Sequence, residues 1–126
     1  MKSLHRSMFL KELRDNFPYL KNAVNAQHGL LHLEMHVFRD FLQHAITYGE
    51  VEKVRLCFAM AERYFAHGNA ALQNAIAVSF VEHLNLQTAQ WAWDMLGPSL
   101  KQSNLHFVDV GLAKPLPYQA GARRGK

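Results

Sequence analysis

The sequence has little cysteine, no long apolar run and no recognisable catalytic motif, and each absence narrows the class of protein. Its single cysteine, Cys57, excludes an internal disulfide framework and a multi-cysteine zinc module. The longest apolar stretches, such as residues 75–81, fall well short of the roughly 20 residues that cross a bilayer. We therefore expect a fold that is held together by side-chain packing and has no membrane span.

The first residues also lack an uncharged apolar core of the kind that a secretory signal requires, because Arg6, Lys11 and Glu12 interrupt it. We expect a cytoplasmic protein. The sequence contains no glycine-rich phosphate loop, nucleophile elbow or zinc-deaminase signature. Cys57 falls on the apolar face of a predicted helix with Val54 and Phe58, which predicts a buried, unreactive thiol. These features favour a protein that is not an enzyme and needs no cofactor.

The composition is that of an ordinary globular chain, with 126 residues of which 49% are hydrophobic and 19% are charged. This length predicts a single helical domain over residues 1–112, followed by an irregular basic tail over residues 113–126. The formal net charge of +4 is concentrated at the two ends of the chain. Residues 22–122 carry a net charge of −2, so the body of the domain is mildly acidic.

Three glycines divide the middle of the sequence. Gly29, Gly49 and Gly68 interrupt runs of apolar residues that have helical spacing, and glycine is a common residue at helix ends. Between them the pattern predicts helices over about residues 30–47, 50–66 and 69–86. The last of these has apolar residues on nearly every side, which is typical of a helix surrounded by others.

Further helices are predicted on both sides of this central group. One covers about residues 3–16, and a second begins at Pro18 and runs to about Gln27. After the group, Thr88 can cap a helix that Gly97-Pro98 ends or kinks near Lys101. Only residues 105–110 alternate briefly as a strand would. The prediction is an all-α fold, an up-and-down bundle of five to six antiparallel helices, with a short helical-repeat solenoid as the alternative.

The segment "HGLLHLEMH" spaces His28, His32 and His36 four residues apart. This spacing can bring two imidazoles to one metal ion, but a zinc site needs three or four protein ligands. On a helix, His32 and His36 fall on the polar side, and His28 precedes the break at Gly29. Surface histidines are therefore favoured, and the three residues are only weak metal-site candidates.

The same helical projection places Glu34 within the apolar stripe, where an isolated charge would cost several kcal/mol. We expect it to be paired, with Arg55 or Arg63 on the next helix and Asn74 on the central helix as candidate partners. Asn74 and Glu82 raise the same question on the central helix. Glu34, Arg55, Asn74 and Glu82 are therefore predicted to form a buried polar network.

Three sequence motifs resemble those of a family of small helical bacterial proteins. They are "NFPYL" at residues 16–20, "NAIAVSFVEHL" at 74–84 and "LGPSLK" at 96–101. The family is poorly characterised, and some members resemble immunity proteins that are encoded beside polymorphic or contact-dependent toxins. The resemblance covers about residues 15–102 and mostly core positions, so it implies the fold more strongly than the function. It implies no catalytic residues.

The leading functional hypothesis is an immunity or antitoxin protein that neutralises a bacterial toxin domain by binding it. Such inhibition requires only a complementary surface. At least one of the two tryptophans, Trp91 and Trp93, is expected to be partly exposed, because they point to different sides of a helix. The predicted partner-binding residues are Asp40, Glu50, Glu52, Glu62, Trp93 and Asp94.

Two other classes of function compete with this hypothesis. A nucleic-acid-associated regulator could use the basic ends of the chain, although the acidic body makes a nucleic-acid partner less favoured. A metal-binding or small-ligand-binding bundle could use the three histidines together with Glu34. Neither alternative involves a membrane.

Overall fold

The computed structural model describes residues 3–81, 84–86 and 89–110, which form an all-α helical bundle. A 3₁₀ turn over Pro18–Leu20 leads into the second helix, and a π-helix over Ala77–Val81 continues the fifth. The predicted fold class is confirmed. The α-helices in the described residues are α1 (Arg6–Asn16), α2 (Lys21–Asn25), α3 (Leu31–Thr47), α4 (Val51–His67), α5 (Ala70–Ile76), α6 (Gln90–Met95) and α7 (Pro98–Asp109).

The two longest helices, α3 and α4, have 17 residues each and lie within one residue of their predicted bounds. In each helix apolar residues recur every three to four positions, which gives the helix one apolar face, and this face packs into the core of the bundle. Gly49 separates the two helices with φ +68°, a left-handed conformation that glycine adopts without steric cost. None of the helices in the described part of the chain combines the length and the apolar character needed to cross a bilayer.

A cluster of aromatic rings joins the first, third and fourth helices at the centre of the bundle. Phe9 of α1 meets Phe38 of α3 edge to face, with the ring centroids 5.3 Å apart. Phe9 also meets Tyr64 of α4 at 5.3 Å in the same arrangement. Burying each such ring contributes about 1.5–3 kcal/mol. These contacts fix α1 against the α3–α4 pair.

The prediction of one continuous helix over residues 69–86 is wrong. The α-helix ends at Ile76, the π-helix follows, and residues 84–86 are not helical. The Gln43 side chain holds this last segment through both backbone groups of Asn85: its Nε2 donates to the carbonyl oxygen at 2.9 Å, and its Oε1 accepts from the N–H at 2.7 Å. A long-range contact therefore supplies hydrogen bonds that helical periodicity would assign to a neighbouring turn.

The pair Gly97-Pro98 separates two helices instead of ending one near Lys101. Pro98 occupies the first position of α7, where its missing N–H costs nothing. The new helix continues to Asp109, so the brief strand-like alternation of residues 105–110 lies mostly on α7. Apolar residues two apart can belong to a helix as well as to a strand, and here the helix is correct.

The extended residues ahead of α1 pair with the junction between α4 and α5. The N–H of Leu4 donates to the carbonyl oxygen of His67 at 2.9 Å, and the N–H of Asn69 donates to that of Leu4 at 2.8 Å. The predicted tail at 113–126 lies outside the described residues, as do Thr88 and Glu82.

Candidate protein-binding surface

Glu34 lies in the first turn of α3 and is only 2% exposed. Its carboxylate accepts two hydrogen bonds from the Arg6 guanidinium, from Nε at 2.7 Å and from Nη2 at 2.5 Å. The hydrogen bond to Glu34 is also the main cause that raises the pKa of Arg6. The prediction that Glu34 is paired is confirmed, and this pair fastens α1 to α3.

The predicted partners of Glu34 are wrong. Arg55 is exposed and lies 3.4 Å from Glu52 on its own helix, and Asn74 is exposed on α5. Arg63 instead donates to Glu12 of α1. Helical periodicity shows that Glu34 is on the covered face of α3, but it does not show which helix covers that face. The three described members of the predicted network, Glu34, Arg55 and Asn74, therefore do not form a cluster, and the fourth, Glu82, lies outside the described residues.

The three histidines point to different surroundings. His28 is exposed and has a left-handed φ of 53°. His32 bonds through Nδ1 to Oγ of the buried Ser79 at 2.6 Å, which connects α3 to the π-helix. His36 is half-buried one turn further along α3. Among the described residues, no three His, Cys, Asp or Glu side chains are placed to hold a metal ion together.

Two of the predicted partner-binding residues serve the fold instead. Trp93 is 8% exposed, and its ring lies 5.6 Å from Nζ of Lys101. Glu62 of α4 accepts the N–H groups of Ser99 and Leu100 at 3.2 Å each and so caps the start of α7. The Trp93 prediction is wrong because α6 presents that side of the helix to the core. The Glu62 carboxylate accepts N–H groups in the first turn of α7, which have no acceptor within the helix itself.

The other four acidic residues remain at the surface. Asp40 contacts its neighbour Arg39 at 2.9 Å, and both Glu52 and Asp94 are exposed. Glu50 lies between α3 and α4, with Lys53 Nζ 2.9 Å from one carboxylate oxygen. These positions are compatible with partner binding, which stays a prediction for them.

Around Glu50 the structure brings together aromatic and charged side chains from three segments. We call this set the tyrosine surface. Tyr19 is 62% exposed and Tyr48 is 70% exposed, values higher than those of the other large hydrophobic side chains in the described residues. The tyrosine surface consists of Tyr19, Phe41, His44, Tyr48, Glu50 and Lys53.

One half of the tyrosine surface is built around Lys53. The rings of Tyr19 and Phe41 have centroids 5.6 Å apart. Lys53 Nζ lies 6.0 Å from the centroid of Tyr19 and 5.8 Å from that of Phe41, within the range of a cation–π contact. Phe17, which is buried, supports Phe41 from below at 4.6 Å. The exposed Tyr19 ring therefore rests on a packed base.

The other half of the tyrosine surface is built around Glu50. One carboxylate oxygen binds Lys53, and the other lies 3.7 Å from Nδ1 of His44. The His44 ring in turn contacts the Tyr48 ring, with 4.5 Å between centroids. The hydrogen bond to Glu50 is the main cause that raises the pKa of Lys53, which keeps the ammonium charged. Charges of both signs thus lie between two exposed phenol rings.

The sequence gives one weak signal for these tyrosines. Tyr19 directly follows Pro18, and Tyr48 directly precedes Gly49. An aromatic residue beside a helix break is not held on a buried stripe, so its ring can project from the bundle. Neither tyrosine is singled out by periodicity, because periodicity identifies the residues that a helix buries.

A groove runs along α4, apart from the tyrosine surface. One face of this helix, from Arg55 to His67, together with Met95 and Gly97, encloses a groove of about 390 Å³. We call it the α4 groove. It is lined mainly by apolar atoms and lies next to Glu62, which caps α7.

Cys57 has no role at either surface. It is fully buried on the inner face of α4, and burial raises the pKa of its thiol to about 12. A thiol with this pKa is almost entirely protonated at neutral pH and is a poor nucleophile. The predicted inert role of Cys57 agrees with this environment.

A comparison with protein families matches residues 10–107 of the chain to the domain of unknown function DUF7674. The chain belongs to the DUF7674 family. The tyrosine surface and the α4 groove lie entirely within the DUF7674 region. No curated protein and no solved structure matches the chain significantly. The resemblance drawn from the sequence is thus supported at the level of a family without an assigned function.

Proposed function

We propose that this DUF7674 protein is a non-enzymatic immunity or antitoxin protein, which neutralises a bacterial toxin domain by binding it through the tyrosine surface. The observation that carries the proposal is the pair of highly exposed rings, Tyr19 and Tyr48, joined through Phe41, Lys53, Glu50 and His44. Folding leaves these rings largely uncovered.

Tyrosine suits such a role for physical reasons. Its ring supplies a large contact area with few rotatable bonds, so it loses little conformational entropy when a partner covers it. Tyrosine is accordingly enriched among the residues that contribute most to protein interfaces. The contacts of Tyr19 with Phe41 and of Tyr48 with His44 restrict both rings before binding. This arrangement favours a preformed binding surface.

The choice of a toxin as partner rests on the sequence motifs and on the surrounding charge. The motif "NFPYL" contributes Tyr19 itself, and its resemblance includes proteins of the immunity type. Asp40 lies one helical turn before His44 on the exposed face of α3, and Glu52 lies beside Lys53 on α4. These carboxylates would complement a basic active-site face on the toxin and speed its encounter.

The charge distribution gives less support to a nucleic-acid regulator. The formal net charge of +4 is concentrated at the two ends of the chain, and residues 22–122 carry a net charge of −2. In the described part of the chain, six basic side chains lie within 4 Å of a carboxylate. A phosphate backbone would have to compete with these ion pairs, whereas typical nucleic-acid proteins present a basic patch.

The test is binding to the product of the adjacent gene. We expect the two proteins to co-purify and the toxin's growth inhibition to be relieved by co-expression. Replacing an interface hot spot by alanine costs about 2 kcal/mol or more, or about 30-fold in Kd. Tyr19→Ala and Tyr48→Ala should each weaken the complex by about this factor.

Leu33→Ala is the matched control, because Leu33 is an exposed apolar residue near the opposite end of α3. It should change Kd by less than about twofold. A neighbouring gene product that neither binds nor inhibits growth would contradict the proposed function. A complex that tolerates both tyrosine substitutions would contradict the assigned surface.

A further inference from the structure

Helix α3 carries a continuous stripe of mostly apolar and aromatic side chains along one flank. Its members follow one another at steps of three, four, four, three and four residues, from the N-cap to the C-cap position of the helix. The first and last members are 18 residues apart, which is five turns at about 3.6 residues per turn, so the stripe runs straight along the helix. We call it the α3 stripe, and it consists of Leu30, Leu33, Val37, Phe41, His44 and Tyr48.

The α3 stripe lies beside the buried face of the helix and is itself largely uncovered. Leu30 is 58% exposed, Leu33 is 40% exposed, and Tyr48 is the most exposed member. Only the two residues in the middle of the stripe are half-buried. Nine large hydrophobic side chains are exposed in the described residues, and three of them belong to the stripe. A fourth, Tyr19, packs against Phe41, so uncovered apolar surface is concentrated along α3.

This surface is large enough for a stable contact with another protein chain. Taking about 200 Å² for a tyrosine side chain and about 100 Å² for a leucine, the stripe and Tyr19 leave about 400 Å² of mostly apolar area uncovered. An interface with the usual apolar share of about 57% would then cover about 700 Å² on each chain, or about 1,400 Å² in all. Stable protein–protein interfaces bury about 1,200–2,000 Å².

The stripe is complementary to itself when two copies run in opposite directions. Leucines occupy its first end, and an imidazole and a phenol ring occupy its second end. An antiparallel pair centred midway between Val37 and Phe41 places these two residues opposite each other. The same pairing places Leu30 of each chain opposite Tyr48 of the other. The aliphatic end of one helix therefore covers the aromatic end of its partner, once at each end of the contact.

The charges beside the stripe do not oppose such a pairing. Asp40 contacts Arg39 at 2.9 Å, and Glu50 contacts Lys53 at 2.9 Å. Because each carboxylate is paired within its own chain, these groups bring no net charge to the contact. Antiparallel helices also place the positive end of one helix dipole beside the negative end of the other. A neutral surface of this kind suits a copy of itself better than a strongly charged partner.

From these observations we infer that the α3 stripe binds a second copy of the same chain, forming an antiparallel dimer with two-fold symmetry in solution. The contact is of modest size, so we expect a Kd in the micromolar range. Because Tyr48 belongs to both the stripe and the tyrosine surface, the dimer and a complex with another protein exclude each other. Affinity for that protein is measured below the dimer Kd, where the chain is monomeric and the tyrosine surface is open.

Sedimentation equilibrium of the full chain, from low to high micromolar concentrations, tests the inference. We expect a change from monomer to dimer and no larger species, because a two-fold contact closes on itself. Leu33→Glu places a charge in the apolar contact and should weaken the dimer by about tenfold or more. Leu56→Glu is the matched control, because Leu56 is 41% exposed on α4, away from the stripe, and should change the dimer Kd by less than about twofold.

An exchange of charges tests the antiparallel arrangement. Leu30→Glu and Tyr48→Lys should each weaken self-association by about tenfold or more. Mixing the two variants should restore the dimer, because residue 30 of one chain faces residue 48 of the other. The introduced carboxylate then meets the introduced ammonium, and the second Leu30–Tyr48 contact is unchanged. Circular dichroism checks that each variant is folded.

Three results would overturn the inference. They are a monomer at every concentration, equal weakening by Leu33→Glu and Leu56→Glu, and no recovery when Leu30→Glu is mixed with Tyr48→Lys. None of them bears on whether the adjacent gene product is bound. A stable dimer in a protein that does not bind that product would contradict the proposed function alone, so the two proposals can fail separately.

Discussion

The two ends of α3 use similar residues for opposite purposes. In its first turn, Glu34 is buried against Arg6, and His32 is bonded to Ser79 of the π-helix. In its last turns, His44 and Tyr48 contact each other and stay exposed. Folding therefore uses the polar groups of the first end and leaves those of the second available. Whether a residue of α3 stabilises the fold or stays available for binding therefore depends more on the position of the neighbouring helices than on its residue type.

The largest expected effect on stability comes from removing Arg6, the partner of Glu34 at the first end of α3. The Arg6→Ala variant leaves the Glu34 carboxylate buried without its cation. Removing one partner of a fully buried pair costs about 3–5 kcal/mol, and because Arg6 is 40% exposed we expect about 2–3 kcal/mol. Chemical denaturation measures this loss of unfolding free energy.

The exposed pair Lys11–Asp15 on α1 provides the control. Its side chains are 75% and 61% exposed, so Lys11→Ala should cost less than about 0.5 kcal/mol. The double variant Arg6→Met with Glu34→Leu should recover most of the lost stability, since an apolar pair can replace a buried ion pair. If Arg6→Ala and Lys11→Ala lowered the free energy of unfolding equally, the Arg6–Glu34 pair would stabilise the fold no more than a surface ion pair does.

A second prediction concerns Glu62, which lies in the α4 groove and yet serves the fold. Glu62→Ala removes the acceptor of two backbone N–H groups at the start of α7 and should cost about 1–2 kcal/mol. Gly97→Ala should cost a similar amount, because its Cβ would overlap the Glu62 carboxylate and displace it. Thermal or chemical unfolding measures both losses.

The two changes act through one contact, so their effects should not add. The double variant should be about as stable as the less stable single variant. Full additivity would mean that Gly97 is required for a reason other than space for Glu62.

A third prediction concerns the pH dependence of stability that the buried Cys57 causes, next to the tyrosine surface. Cys57 lies one turn after Lys53 on α4, and its folded pKa of about 12 exceeds the ordinary value of 9.0. Above pH 9 the unfolded thiol ionises and the folded one does not, so stability falls as pH rises between these values. The loss should reach about 1.4 kcal/mol at pH 10.

The comparison is with Cys57→Ala, which lacks the titrating group. Its unfolding free energy should fall less steeply between pH 8 and pH 10 than that of the unmodified chain, whatever the offset between them at pH 7. Parallel pH profiles would show that water reaches the thiol.

The smallest expected effect is on the stability of the tyrosine variants. Tyr48→Ala and Tyr19→Ala remove rings that are mostly exposed and should change the free energy of unfolding by less than about 0.5 kcal/mol. A loss above about 1 kcal/mol would place these rings with the structural residues of α3 and would weaken their assignment to binding.

Much of the helical scaffold can be predicted from the sequence, and the reason is periodicity. The bounds of α3 and α4 follow from long amphipathic runs between glycines. The non-helical conformation of residues 84–86 cannot be predicted in this way, because it involves hydrogen bonds from the side chain of Gln43 to the backbone of Asn85, 42 residues further along the chain. The extent of α7 is missed because Gly97-Pro98 indicates a stop and equally suits the start of a new helix.

The candidate site is less predictable than the scaffold. The buried position of Glu34 follows from the helical projection, whereas its pairing with Arg6, 28 residues away, depends on how α1 packs. Glu62 and Trp93 show that an acidic or aromatic residue on a helix can turn inward once a neighbour covers it. Tyr19 and Tyr48 gain importance only when the structure shows that they are exposed and connected.

The most direct test of the central claim is amide hydrogen exchange of the protein with and without the adjacent gene product. We expect slower exchange on binding in residues 17–21 and 41–54, which carry the tyrosine surface, and unchanged exchange in residues 31–34 at the other end of α3. A complex that protects residues 31–34 and leaves the tyrosine surface unchanged would contradict the account.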